Sequence, residues 1–517
     1  MTDITADTTA APSRTAASSW ALWRTVHKWS GLTAVVWLFV LGATGWILNH
    51  HEWRWSHQWT VPQSWASPAI NRLVRGTIMR FIAADNADPN LLIGASERGL
   101  WLTIDGGRLW TEIPWAGASG LPQTFDLYAP VGGSLKVVYA ATDDGIWKIV
   151  DKGARAERFA LAGRHVTSLT AGSAIDELAG VIDDTHIFRL RLGQPEAPAL
   201  TPLADVTVTG LPERVPINRF ALDLHVGRGF LAGVWSTVIN DYSGIALIVL
   251  SATGAMFWWL PRKWRREKPK GQLKFRQRAL RWLYRGHGPV IGILGIIPIL
   301  YISITGIMVA HIQGLIDLGK TVKLDRDWLP PIYRYQDLSH EISDVVAFRD
   351  DPQRLLAASR FGILETRDGG RTWVMDRSLP LGGDDDGSRY NLFRVDDHVF
   401  VGIGNAGQFV RCDGEETWTE LAVDGPKLAI TAAARQGEDW LIKASRAIYR
   451  GRIGATFTDT KIAYPPLEGT TMFLFLADIH TGNVFRFPFA PVNDFVAALA
   501  ILLVISGPVI WWKRKWV

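Results

Sequence analysis

Four long apolar runs punctuate the chain, and the stretches between them follow a different rhythm. The runs cover residues 32–49, 242–260, 290–310 and 495–512. Each is close to the roughly 20 residues that a helix needs to cross a bilayer, so the pattern predicts four transmembrane helices. Trp258 with Trp259, and Trp511 with Trp512, stand at span ends, where amphipathic rings favour the lipid interface. Segments 52–224 and 312–479 instead carry short apolar, strand-like runs separated by Gly- and Asp-rich turns. The fold class expected is a membrane protein of α + β type, with two helix pairs and two large all-β insertions outside the membrane.

The two halves repeat each other. NDYSGIALIVLSATGAMFWW (240–259) aligns without a gap on NDFVAALAILLVISGPVIWW (493–512), and DLHVGRGF (223–230) echoes DIHTGNVF (478–485). The first run reads His27, then Thr44-Gly45, then His50; the third reads His287, then Thr305-Gly306, then His311. The unit is therefore a helix, an exterior segment, an interfacial His segment and a second helix, written twice. Parallel repeats of this kind usually relate by a pseudo-twofold along the membrane normal.

The exterior segments have a shorter period, near 40 residues. TIDGGRLW (103–110) and TRDGGRTW (366–373) resemble the Asp-box, a Ser/Thr-x-Asp-x-Gly-x-Thr-Trp turn between strands of propeller blades, and RCDGEETW (411–418) is a degraded copy. A period of about 40 residues with about four strands per unit is blade-like. Three blades per half make six, which either close one propeller or form two small β domains. The Asp-box turn is structural and does not itself indicate glycosidase activity.

Lys and Arg set the orientation. Residues 261–287 hold 11 of them against one Glu, the C-terminus ends in KRKWV, and Arg24 and Lys28 precede the first run. Positive flanks stay cytoplasmic, so both termini are expected inside a bacterial inner membrane and the β segments in the periplasm. The domains then read as follows: a disordered, Thr/Ala/Ser-rich N-terminus at 1–19 with no cleavable signal; a first helix at 20–51; the first β segment at 52–224; an interfacial segment and second helix at 225–260; a basic loop at 261–287; a third helix at 288–311; the second β segment at 312–479; an interfacial segment and fourth helix at 480–512; and a tail at 513–517.

Composition narrows the chemistry. Of 517 residues, 48% are hydrophobic and 20% charged, with 25 Trp, which suits a membrane protein carrying soluble parts. The net charge of +5 gathers in one loop, and no nucleic-acid motif accompanies it. The single cysteine, Cys412, excludes an internal disulfide, a Cys-ligated zinc site and an iron–sulfur cluster. CxxCH, GxGxxG at a βα turn and GxxxxGK[ST] are absent.

Of 12 His, six have no partner in the other half: His51, His57, His165, His186, His340 and His398. The other six form corresponding pairs: His27 with His287, His50 with His311, His225 with His480. Ionisable groups near hydrocarbon are costly and usually functional, and imidazoles from facing helices are standard axial ligands of haem iron. Without CxxCH, any haem would be b-type. His27 and His287 would serve a site on the cytoplasmic side; His50, His225, His311 and His480 would supply the exterior side, in pairings left open. Zinc is less suited, since HExxH and carboxylate–His spacings are missing.

RTVHKWSGL (24–32), the Thr-Gly late in the first run, DLHVGRGF and SATGAMFWW (251–259) resemble the PepSY-associated transmembrane family, in particular the inner-membrane di-haem ferric-siderophore reductases. The resemblance implies two haem b groups, electron passage to the periplasm and reduction of a ferric siderophore to release Fe(II). It carries the ligand role onto His27, His225, His287 and His480. The family's usual small α/β exterior domains are replaced here by Asp-box β units. Reduction itself demands little of the protein, since hard oxygen ligands bind Fe(II) far less well than Fe(III), and no acid–base dyad is required. The cytoplasmic loop is too short for a flavin or nicotinamide domain, so the donor would be a quinol or a separate protein. Two other readings compete: a haem-free scaffold or sensor with a periplasmic binding domain, and an electron conduit to a periplasmic protein partner.

Overall fold

The computed structural model describes residues 14–514 except residues 78, 97, 119, 131–134, 232–234, 236, 267–272, 380–389, 405–406, 426–429, 445–446 and 466–468. Most of the N-terminal segment expected to be disordered, and residues 515–517 of the tail, lie outside the described residues. The described part begins in helix at Arg14, inside that segment.

The helices are α1 (Arg14–Asn49), α2 (Arg54–Gln58), α3 (Pro68–Thr77), α4 (Ile217–His225), α5 (Val238–Arg266), α6 (Leu273–Arg285), α7 (Ile296–Ala310), α8 (Ile312–Thr321), α9 (Met472–Thr481) and α10 (Ala490–Arg514). Among the described residues, three stretches are long and apolar enough to cross a membrane: Trp20–Asn49, Val238–Arg266 and Ala490–Trp512. The expected third span is instead a pair, Lys274–Gly292 and Ile296–Ala310, bent by 65°, and it makes a fourth crossing if the pair counts as one. The sequence explains the bend. Gly286, Gly288, Pro289, Gly292 and Gly295 crowd the junction; proline removes a backbone donor and glycine weakens the helix. Residues Gly286–Gly292 accordingly wind as a π-helix, a form that recurs at functional sites.

Residues 261–287, expected as a loop, are largely helical in their described parts: α5 runs on to Arg266 and α6 starts at Leu273. Lys, Arg, Gln, Leu and Ala are good helix formers, and Arg262, Lys263 and Arg276 lie over the rings of Trp258, Trp259 and Trp264.

α1 packs against α5 and α10, and α7 packs against the same two. Helices that correspond in the two halves of the sequence thus stand diagonally opposite. α1 and α5 meet very closely: a Cβ on Gly42 would lie 2.7 Å from the carbonyl oxygen of Gly244, backbone that cannot yield.

Among the described residues, six sheets of four or five strands, antiparallel apart from one added edge strand in each of two, form the β part. Their innermost strands are Phe81–Ala84, Thr124–Tyr128, Val166–Ala171, Ile342–Ala347, Tyr390–Val395 and Ile430–Gln436. Each lies beside the next, and the last returns to lie beside the first. The two insertions are therefore not separate domains: three blades from each close one six-bladed ring. Its cores cross blade boundaries, as where Ile82 and Ile93 meet Ala432 and Leu441, and where Val181 and Ile187 meet Val345 and Leu355. Two short outer strands stitch the ring further. Trp115–Ala116 adds in parallel to Arg155–Ala160 of the second blade. Thr207–Thr209, from the first insertion, adds in parallel to Thr372–Met375 of the fourth blade, which belongs to the second.

The Asp-box turns work as their sequence suggests. Asp105 accepts from the backbone N–H of Arg108 and Leu109, both at 3.0 Å. Asp368 accepts from those of Arg371 at 3.0 Å and Thr372 at 2.9 Å. The two tryptophans differ. Trp373 is fully buried and donates to the Gly370 carbonyl, whereas Trp110 is only partly buried and donates to the Ala463 carbonyl. In the degraded copy, Asp413 is diverted into an ion pair with Arg394.

Two short ribbons join propeller and bundle. Arg214–Pro216 pairs with Lys323–Asp325 just before α4, and Thr60–Val61 pairs with Thr470–Thr471 just before α9.

Burial of the blade-four tryptophan leads to a prediction. Trp373→Ala should cost about 3–5 kcal/mol, as expected for an aromatic lost from a packed core, and Trp110→Ala should cost clearly less. Denaturant unfolding of the purified chain followed by near-UV circular dichroism reads both; equal losses would contradict the packing described.

Candidate functional site: two histidine pairs

Four of the six histidines singled out by the repeat come together as two pairs. His27 on α1 faces His287 in the π-turn, with ring centroids 6.4 Å apart and planes at 90°. His225 at the end of α4 faces His480 near the end of α9, with centroids 6.5 Å apart and planes at 51°. His27 lies 17 residues before Thr44, which holds His480, so the pairs are separated by about 25 Å along α1 at 1.5 Å per residue. One pair is near the basic end of the bundle and the other near the propeller.

Each ring is held the same way. Nδ1 of His27 meets Ser506 Oγ at 2.7 Å, and that of His287 meets Thr253 Oγ1 at 2.8 Å. Nδ1 of His480 meets Thr44 Oγ1 at 2.8 Å, and that of His225 meets Thr305 Oγ1 at 3.3 Å. A hydroxyl has one proton to give. Thr44 donates it to the Val40 carbonyl, Thr253 to that of Val249 and Thr305 to that of Tyr301, at 2.6–2.9 Å. Ser506 donates to the Leu503 carbonyl at 3.3 Å. With its proton committed, each hydroxyl can only accept from the imidazole. All four rings are thereby assigned the tautomer with hydrogen on Nδ1 and a lone pair on Nε2.

Directly after each hydroxyl residue stands a glycine: Gly45, Gly254, Gly306 and Gly507. A Cβ there would lie 3.2 Å from His480 Cε1, 3.4 Å from His287 Cε1, 3.5 Å from His225 Cε1 and 3.7 Å from His27 Cε1. A hydroxyl to hold Nδ1 and a missing side chain to admit the ring edge together make a seat, used four times. Burial keeps His225 neutral by lowering its pKa, with the nearby His480 adding to the effect; burial alone does the same for His480.

The structure does not bring His50 or His311 to another histidine. His50 lies between Glu52, 2.7 Å from Nδ1, and Asp241, 3.3 Å from Nε2, and stacks on Trp53. His311 is mostly exposed and meets Asp494 through Nε2 at 2.8 Å. Asp241 and Asp494 are themselves corresponding residues of the two NDxx segments, so each half places the same carboxylate against the same imidazole. Of the histidines without a counterpart, His165 and His340 both approach Asp184, at 3.6 and 3.8 Å. His57 is buried on the carbonyl of His51.

Sequence reading missed Thr253 and Ser506 as partners. The signal was present: Thr44-Gly45 corresponds to Thr305-Gly306, and Thr253-Gly254 to Ser506-Gly507, although the same dipeptide also occurs at Ser30-Gly31 and Ser243-Gly244. Among the described residues no three or more His, Cys, Asp or Glu gather as a metal-binding group. Each pair is thus a set of two neutral nitrogen donors facing each other, an arrangement suited to axial ligation of a flat metal complex rather than to a tetrahedral ion.

The PepSY-associated TM region family matches residues 193–514, and the chain belongs to that family. The match extends beyond the spans into the propeller, where it takes in the blades of the second half. No curated protein matches the chain. Among solved structures, the GH74 xyloglucanase from Xanthomonas campestris is 12% identical, with 74% of this chain and 45% of that chain covered and a TM-score of 0.35. PorZ of Porphyromonas gingivalis, a surface component of the type-IX secretion system, is 10% identical over 75% and 33%, with a TM-score of 0.34. YCF48 from Cyanidioschyzon merolae is 11% identical over 74% and 97%, with a TM-score of 0.31. This chain spans less than half the length of the first two.

Proposed function

We propose that this protein is a transmembrane oxidoreductase with two haem b groups, one between His27 and His287 and one between His225 and His480, passing electrons outward to reduce an Fe(III)-siderophore and release Fe(II). The observation that carries the proposal is the pair of facing imidazoles, present twice, each ring fixed through Nδ1 with Nε2 left as a donor. The spacing supports it: two metal–nitrogen bonds of about 2 Å, with half a ring beyond each, make roughly 6 Å between ring centroids, against 6.4 and 6.5 Å here. When bound, haem b supplies one-electron transfer at each site. The chain's residues hold the ring planes, keep the imidazoles neutral and in one tautomer, and exclude bulk from the ring edges. His50 and His311 are left out of the ligand set.

The proposed topology has four spans in two duplicated helix pairs, with the bent pair as the third. The basic end lies in the cytoplasm with both termini, and the propeller lies in the periplasm of a bacterial inner membrane. The loop at 261–287 is too short for a nucleotide-binding domain, and the proposed donor is a quinol or a separate protein. The closed propeller favours a second reading, in which the exterior part binds a protein partner that receives the electron in place of a ferric chelate.

The pyridine haemochrome assay on the purified chain should give two haem b per polypeptide. A colourless, folded preparation from haem-replete cells would overturn the proposal in favour of a haem-free scaffold or sensor. His27→Ala or His287→Ala should lose one equivalent, His225→Ala or His480→Ala the other, while His50→Ala and His311→Ala keep both. Decay of the reduced bands on adding a ferric siderophore distinguishes reductase from conduit. Thr253→Val should keep the fold but weaken retention at the basic-end site about 10–100-fold, the usual cost of removing the group that orients a ligating imidazole, read as haem loss on dilution.

A further inference from the structure

The histidines of the propeller-end pair are each preceded, two residues earlier, by a buried aspartate. Asp223 is 4% exposed and Asp478 is 0% exposed. Both sit in helix, Asp223 in α4 with His225 and Asp478 in α9 with His480. Two residues along an α-helix turn the chain by about 200°, so Asp and His project from nearly opposite faces. Their partners bear this out. The His side chains reach hydroxyls of the spans, Thr305 and Thr44. The Asp side chains reach residues outside the spans: Asp223 a turn of the fourth blade, and Asp478 the segment that leads into the first.

Asp478 accepts from Ser67 twice, from its backbone N–H at 2.6 Å and its hydroxyl at 2.7 Å. Ser67 stands just before α3, on the way to the first blade. Asp223 accepts from the Tyr333 hydroxyl at 2.8 Å and pairs with Arg219 at 3.4 Å and Arg360 at 3.1 Å. Arg360 lies in the turn between Leu355–Ser359 and Gly362–Thr366 of the fourth blade and also pairs with buried Glu341. A buried carboxylate is costly unless its oxygens are fully engaged; here both are.

We infer that Asp223 and Asp478 are positioning residues that fix the His225 and His480 rings by fastening α4 and α9 to the base of the propeller, the first through an ionic clamp and the second through a neutral one. The inference rests on the proposed haem site and deepens it. Each short helix is pinned on one face to the exterior domain and on the other to a span, so ring orientation at this site follows the seating of the propeller. Among the described residues the basic-end rings are held by span residues, Ser506 and Thr253, and the inference leaves them unaffected by that seating.

The two clamps differ in what they tolerate. At Asp478, asparagine can still accept from the Ser67 N–H and turn its amide toward the Ser67 hydroxyl. At Asp223, asparagine leaves Arg219 and Arg360 buried with one negative partner fewer.

The test is electron paramagnetic resonance and redox titration of the ferric, haem-loaded chain with Asp478→Asn, Asp478→Ala, Ser67→Ala, Asp223→Asn and Asp223→Ala. Asp478→Ala and both Asp223 variants should shift the low-spin signal and midpoint potential of one haem while the other stays at the wild-type position. Ser67→Ala should shift it in the same direction as Asp478→Ala, and Asp478→Asn should restore most of the wild-type signal. If an alanine variant does not fold, Asp223→Asn, Asp478→Asn and Ser67→Ala carry the comparison. Two unaltered signals in every folded variant, or shifts of both haems together, would overturn the positioning role while leaving the haem reading intact. A wild-type chain without haem would instead overturn the haem reading and this inference with it.

Discussion

The hydrogen bond from imidazole Nδ1 to a helix hydroxyl is the contact on which the rest of the site depends. Its direction is set by the hydroxyl's own backbone bond one turn earlier, so the helix itself dictates the tautomer. Ordinarily such back-bonding by Ser or Thr is a mild burden on a helix. In these spans it commits the only proton the hydroxyl has and leaves an acceptor aimed at a histidine. The adjacent glycine supplies the room, at the usual entropic cost of glycine in a helix. Thr44 with Gly45, Thr253 with Gly254, Thr305 with Gly306 and Ser506 with Gly507 are one device repeated.

Much of this was legible in the sequence. The apolar runs mark α1, α5 and α10 closely, and the Asp-boxes mark blade turns, because both depend on local patterns of hydrophobicity and turn chemistry. The correspondence of His27 with His287 also gives two residues that meet, whereas the pairing among His50, His225, His311 and His480 was open in the sequence and comes from the structure. The rest depends on tertiary geometry. His50 and His311 have the same repeat signature as the other four, and only their placement beside Asp241 and Asp494 separates them. The bend before α7 was written in its glycines and Pro289, yet hydropathy averages over such residues. Ring closure between strands as distant as Phe81–Ala84 and Ile430–Gln436 has no local signature.

The basic end and the propeller end are built with different degrees of attachment. His27 and His287 are held by span residues and a π-turn alone. His225 and His480 hang on short helices that also bear on the exterior domain.

The strand Thr207–Thr209 runs along the edge of a blade built more than a hundred residues later, and the first and sixth blades complete each other only when the chain is nearly finished. The early blades therefore have an unpaired neighbour until the last β segment is made, and that segment closes the ring. Contacts of such long sequence separation are slow to form, so the ribbons that tie ring to bundle, Thr60–Val61 with Thr470–Thr471 and Arg214–Pro216 with Lys323–Asp325, also join parts of the chain made far apart.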